Sequence, residues 1–176
     1  MQRSHNFFEI FSLPVAWEVD IDQLDLRFRS LQQKFHPDRY ASKSDFEKRL
    51  AMQTAATINQ AYEALKNPLS RAQYLLELKG FDASCGSHVT ADEKFLMNQM
   101  LLREALAEAK SSDDPLKALA SLSIDALENA AALQSEFAQQ YQASAYNDAF
   151  DTVAKMQFAS KFVSDIVQLE AELEDL

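Results

Sequence analysis

The sequence predicts an all-α protein, with a helical hairpin and short flanking helices in its first half and an antiparallel three-helix bundle in its second. Three observations lead there. Only two glycines and four prolines occur in 176 residues, too few for the many tight turns of a sheet protein. Apolar residues recur at helical intervals through most of the chain, and no segment shows a strand signal. Ser, Thr, Asp or Asn precedes most of these runs, as helix starts require, because their side chains accept from otherwise free N–H groups. No internal repeat is present.

Phe7, Phe8, Ile10, Phe11 and Leu13 form a short apolar segment ending at Pro14. Asp20 and Gln23 have capping-box spacing, and Leu24, Phe28, Leu31 and Phe35 follow at helical intervals. Pro37 ends this helix, since the residue before a proline disfavours the α region. Ser44 and Glu47 make a second capping box, from which Phe46, Leu50, Thr54, Thr57, Ile58, Ala61 and Leu65 carry a long helix to Lys66. Asn67-Pro68 reads as a cap followed by a first-turn proline, opening a shorter helix that Lys79-Gly80 stops.

FDASCGSHV is the most loop-like stretch, so the expected division is 1–79, a linker over 80–89, and 90–176. Thr90 and Glu93 are expected to cap a helix reaching about Lys110. Asp114 and Pro115 start a helix-rich run to about Tyr141, with a break expected near Ser121–Ser123. A last helix covers roughly residues 146 to 173, with Phe158, Phe162, Ile166, Leu169 and Leu173 on one stripe.

Composition narrows the function. The net charge is −10, and it is unevenly spread: residues 1–75 hold ten Lys/Arg against nine Asp/Glu, residues 76–176 seven against eighteen. The acidic second half argues against general nucleic-acid binding, since phosphate would be repelled. The contrast suggests two modules with different partners. One cysteine, Cys85, excludes a disulfide framework and fits a reducing compartment. No window approaches the roughly 18 apolar residues of a membrane span, and the N-terminal residues do not read as a signal peptide. The expectation is a cytoplasmic protein that binds no membrane.

QKFHPDRY, residues 33–40, places a histidine, a proline and an aspartate where a helix must stop. Taken singly, His36 is a favourable residue at a helix C-terminus, and Asp38 is an ordinary turn-former. Together they form a stiff recognition element. Proline fixes φ before any partner arrives, while the imidazole and carboxylate supply a compact set of hydrogen-bonding atoms. Two helices joined by a tight loop containing HPD resemble the J-domain, which drives ATP hydrolysis in DnaK-type chaperones. The resemblance implies that His36, Pro37 and Asp38 contact the chaperone ATPase, with Arg27, Arg29, Lys34 and Arg39 as its basic surroundings. For Arg27 a solvated charged face is an equal alternative. Ser30 stands where a second cation after Arg29 is common in J-domains.

The helix over residues 92–110 has two apolar faces. Advancing about 100° per residue, Phe95, Leu102, Leu106 and Ala109 form a core stripe, while Leu96, Met97, Met100 and Leu101 fall on the opposite side. Glu104 and Glu108 continue that second face. Either the helix lies between two others, or the patch receives a partner. Methionines suit the latter, because their unbranched thioethers adapt to irregular surfaces.

A J-domain followed by an acidic helical bundle resembles the HscB family of co-chaperones in iron–sulfur cluster assembly. FHPDRYAS, ATINQAYEALKNPLSRAQYLLELKGFD and FLMNQMLLREAL carry this resemblance. It implies a co-chaperone that binds the scaffold protein IscU, delivers it to the chaperone HscA and stimulates HscA ATP hydrolysis. The implied scaffold-binding residues are Leu96, Met97, Met100, Leu101, Glu104, Glu108 and Phe158. Leu101 stands where an acid is expected, and Phe158 is equally suited to the core. The other readings are a J-protein serving a general DnaK-type chaperone and a helical adaptor.

Cys85 and His88 have C-x-x-H spacing, but two ligands do not close a zinc site, and one thiol does not supply an iron–sulfur cluster. No metal, cofactor or catalytic residue is expected.

Overall fold

The computed structural model describes residues 6–84, 86 and 88–174; Cys85 lies outside the described residues. Every regular element among them is helical: α1 (Phe7–Ile10), α2 (Ile21–Lys34), a 3₁₀ turn (Pro37–Tyr40), α3 (Asp45–Lys66), α4 (Pro68–Glu77), α5 (Glu93–Lys110), α6 (Pro115–Gln142) and α7 (Tyr146–Glu174). The chain divides into two compact units between Leu75 and Leu76. The division falls inside α4, ahead of the loop-like 80–89 stretch where composition changes.

In the first unit, α2 and α3 form the hairpin and α1 packs on α3. Asp20 caps α2 by accepting from the Gln23 N–H at 3.0 Å. Ser44 and Glu47 cap α3 reciprocally, each side chain accepting from the other residue's backbone N–H. Phe8, Phe11, Leu24, Ala51, Ile58, Ala61 and Leu65 are buried. Phe28 stacks on Tyr62 across the hairpin with centroids 3.8 Å apart. The Tyr62 hydroxyl donates to Asp25 at 2.8 Å, and Lys66 lies 3.5 Å from the same carboxylate.

Phe46 and Leu50 depart from the expected α3 stripe. They are 69% and 53% exposed. The 3.6-residue period drifts round the helix, so the buried line runs instead through Ala51, Ile58, Ala61 and Leu65.

The second unit is the three-helix bundle. Its core gathers Ala109, Leu119, Ala126, Phe162, Ile166 and Leu169, with Leu102, Leu106, Leu122, Val163 and Leu173 packed against it. The α6–α7 pair is joined by a tight connection at Ser144, whose φ is 59°. The Ala145 N–H reaches back to the Gln140 carbonyl at 2.9 Å and satisfies one of the free carbonyls at the end of α6.

Two local expectations change here. Asp92, not Thr90, caps α5, accepting from the Phe95 N–H at 3.0 Å. Thr90 is buried and donates to Asp151 at 3.0 Å. A carboxylate in the N-terminal field of the helix, held also by Lys155 at 2.8 Å, is the stronger cap. Helix α6 runs unbroken through Ser121–Ser123, because neighbouring Leu119, Leu122 and Ala126 anchor it in the core.

Candidate functional site

Two exposed surfaces hold the residues singled out in the sequence, one in each unit. The first is the corner after α2. The helix ends at Lys34 with Phe35 as its C-cap, and His36 becomes the N-cap of the 3₁₀ turn with Pro37 at the first position. The Asp38 N–H donates to His36 Nδ1 at 3.3 Å. A nitrogen that accepts this bond carries no proton, so the neutral ring holds its proton on Nε2. Asp38 Oδ2 is 3.6 Å from the same Nδ1. The His36 and Asp38 side chains are 58% and 91% exposed. The corner therefore offers a ring N–H and a carboxylate on a turn whose φ is preset by proline.

Arg29, Gln32, Gln33, His36 and Arg39 line a shallow groove of about 440 Å³ between α2 and the turn. Arg39 is oriented by a bond to the Gln33 carbonyl at 3.4 Å, and Lys34 lies 5.5 Å from the Phe35 ring centroid. Arg27 is placed differently. Its guanidinium donates to the carbonyls of Phe11 and Ser12 and to Gln23. It ties α2 to the turn after α1 and is not part of this groove. Among the named cations, Arg29, Lys34 and Arg39 remain exposed around the corner.

At the end of the hairpin away from the corner, the Asp25–Tyr62–Lys66 cluster ties α2 to α3. The hydrogen bond from Tyr62, followed by the charge of Lys66, holds the Asp25 carboxyl below its usual range. Lys66 is raised, first by its bond to Tyr62 and then by Asp25.

The second surface is the outer face of α5. Met97, Met100 and Leu101 are 60%, 60% and 56% exposed; Glu104 and Glu108 are exposed, and Leu96 is half-buried. The opposite face is turned inward, where Leu102 and Leu106 pack against the core and Ala109 is buried. The outer face is thus not enclosed between neighbouring helices of its unit. Glu108 also borders a groove of about 320 Å³ between α5 and α6, opposite Ser121 and Asp125. Phe158 is half-buried and meets Phe95 edge-on at 6.0 Å, so it serves packing on one side and keeps surface on the other.

Sequence reasoning missed the residues that hold α5 in place. Lys155 of α7 bonds Asp92 at 2.8 Å and lies 3.5 Å from Asp151. Asp151 in turn meets His88 Nε2 at 3.1 Å. The bond from Lys155 lowers the Asp92 pKa, and the same bond raises that of Lys155. Asp151 and Lys155 have the i,i+4 spacing of a helical ion pair, which was the available signal. His88 also stacks on Phe150 at 4.7 Å. Gln99 is buried on the core face of α5, where a polar side chain interrupts the apolar pattern.

Among the described residues, no group of three or more His, Cys, Asp or Glu is arranged to hold a metal ion. No helix among them is long and apolar enough to cross a membrane.

The family model for the HSCB C-terminal oligomerisation domain matches residues 91–167. The solved structure of the chaperone HscB from Vibrio cholerae is 36% identical, with a TM-score of 0.86 over 96% of this chain and 99% of that one. The chain belongs to the HscB/Jac1 co-chaperone family. At lower identity the fold extends further. The human co-chaperone HscB is 23% identical, with a TM-score of 0.84 over 96% of this chain and 83% of that one. The Jac1 co-chaperone from Saccharomyces cerevisiae is also 23% identical, with a TM-score of 0.76 over 96% and 95%. The all-α architecture of hairpin plus helix bundle is that of HscB.

Proposed function

We propose that this chain delivers an iron–sulfur scaffold protein of the IscU type to a DnaK-type chaperone of the HscA type, and stimulates that chaperone's ATP hydrolysis. The observation that carries the reading is the exposed HPD corner in a chain of the HscB/Jac1 family. His36 and Asp38 are held by their own turn and project into solvent, so little conformational freedom is lost when an ATPase docks on them. Arg29, Lys34 and Arg39 add positive charge beside the corner, which speeds encounter with an acidic partner surface. The chain itself performs no chemistry in this reading. It supplies contacts that favour the hydrolysing conformation of its partner.

The α5 ledge receives the scaffold. Met97, Met100 and Leu101 provide an apolar seat, Leu96 and Phe158 its half-buried edges, and Glu104 and Glu108 an acidic margin. Residues 1–79 act as the J-domain and residues 90–176 as the scaffold-binding bundle.

A steady-state ATPase assay tests this. HscA with the scaffold protein is expected to hydrolyse ATP faster when the chain is added, and His36→Gln is expected to remove roughly nine-tenths or more of that stimulation. Stimulation that survives the substitution refutes the corner mechanism. Equal stimulation of a general DnaK, with no response to scaffold, refutes the specialised role.

A further inference from the structure

The first two turns of α3 carry an apolar flank that the fold leaves uncovered. Phe46 and Leu50 are one turn apart and share one side of the helix, about 65° to 105° round from the buried line of Ala51, Ile58, Ala61 and Leu65. Neither helix propensity nor capping asks for phenylalanine at the second position of a helix. Thr57 extends the same flank, and half-buried Thr54 lies between it and the buried line. The Thr54 and Thr57 hydroxyls donate to the Leu50 and Gln53 carbonyls at 2.8 and 3.0 Å, so Thr57 adds methyl surface to the flank and no free donor.

The flank sits in a cationic setting within an acidic chain. Arg39, Lys43, Lys48 and Arg49 outnumber Asp38, Asp45 and Glu47 along the segment from the turn into α3. Its carboxylates are engaged: Glu47 bonds the Ser44 hydroxyl and N–H at 2.8 and 3.0 Å, and Asp45 lies 3.8 Å from Lys48. The flank is also continuous with the HPD corner. Three successive turns carry the chain across, Arg39 N–H to the His36 carbonyl, Ala41 to Asp38 and Lys43 to Tyr40. The 3₁₀ turn itself packs on α3, so the corner and Phe46 occupy the same end of the hairpin.

Resting on the function proposed above, we propose that Phe46 and Leu50 form a second anchor for the DnaK-type ATPase, seated in an apolar recess with an acidic rim. The corner drives hydrolysis; the anchor sets how tightly the co-chaperone is held. The two contributions separate in a titration of HscA ATPase activity against the co-chaperone. Phe46→Ala with Leu50→Ala preserves the helix, since alanine is the best helix former. It is expected to raise the half-saturating concentration roughly tenfold while the maximal stimulation stays unchanged. Arg49→Glu is expected to raise the same concentration, by a factor that shrinks as salt screens the rim.

An unchanged half-saturation in both variants, with His36→Gln still abolishing stimulation, overturns the anchor and leaves the proposed function standing. Full stimulation by His36→Gln refutes the corner mechanism, and with it the reading on which the anchor rests. A fall in sedimentation coefficient on removing Phe46 and Leu50, with half-saturation unchanged, assigns the flank to a second copy of the chain and likewise overturns the anchor.

Discussion

The HPD corner and the α5 ledge are built by different physics. The corner is a point. Three consecutive residues, a preset proline φ and one bond between a side chain and a backbone N–H place its two polar groups. The ledge is an area. It exists because α5 carries more apolar residues than its neighbours cover, and its position depends on which face the bundle claims. A point is suited to switching a partner between states, since a few hydrogen bonds tell one conformation from another. An area is suited to holding cargo, since apolar contact is non-directional and grows with the surface removed from water.

That contrast is broken most severely at the ledge. Met97→Ser with Met100→Ser is expected to weaken scaffold binding by roughly tenfold or more, with the helical circular dichroism signal unchanged because both side chains are exposed. Calorimetric titration with the scaffold measures it. The same double variant should retain the scaffold-independent stimulation of the chaperone, while His36→Gln should retain scaffold affinity and lose stimulation. If either variant loses both activities, the two surfaces are not separate.

A smaller effect comes from the groups that position the ledge. Lys155→Met leaves Asp92 and Asp151 without their shared cation and should destabilise the second unit by about 1–2 kcal/mol in urea unfolding, the partial exposure of both carboxylates limiting the loss. The pH dependence has a definite sign. Asp92 is depressed in the folded state, so its contribution is present above the ordinary carboxylate pKa and lost as pH falls through the folded value. Lys155 is raised, so its contribution is complete below the ordinary lysine pKa and lost as pH rises through the folded value. Unfolding midpoints across pH should therefore fall at both extremes, and Lys155→Met should flatten this profile. Asp25, held down by Tyr62 and Lys66, adds the acidic limb in the first unit.

The smallest effect expected is at the cap. Ser44→Ala removes one half of the reciprocal bond at the start of α3 and should cost about 1 kcal/mol of stability. Because the cap directly follows the HPD turn, hydrogen exchange at the amides of 45–48 should accelerate even where ATPase stimulation is preserved.

Local chemistry was legible in advance. The caps at Asp20, Ser44 and Asp114 are made as their spacing requires, because a cap is decided within four residues. The start of α5 was displaced by two residues, because Asp92 had a partner sixty-three positions away in Lys155 that no local pattern records. Arg27 looked like one more cation on α2, yet its guanidinium closes the turn after α1. Phe46 and Leu50 fitted the apolar rhythm of α3, yet the core lies to one side of them.

By itself, the amino-acid order determined that this chain is helical, where most helices begin and end, and that a rigid HPD turn interrupts the first pair. These follow from dihedral restriction, side-chain capping and hydrophobic period, all of which act over a few residues. Whether the second apolar face of α5 was covered, which cations stayed exposed around the corner, and which residue capped α5 were decided only by tertiary structure. Burial and ion pairing depend on what stands opposite a side chain in space, and that neighbour is usually distant along the chain.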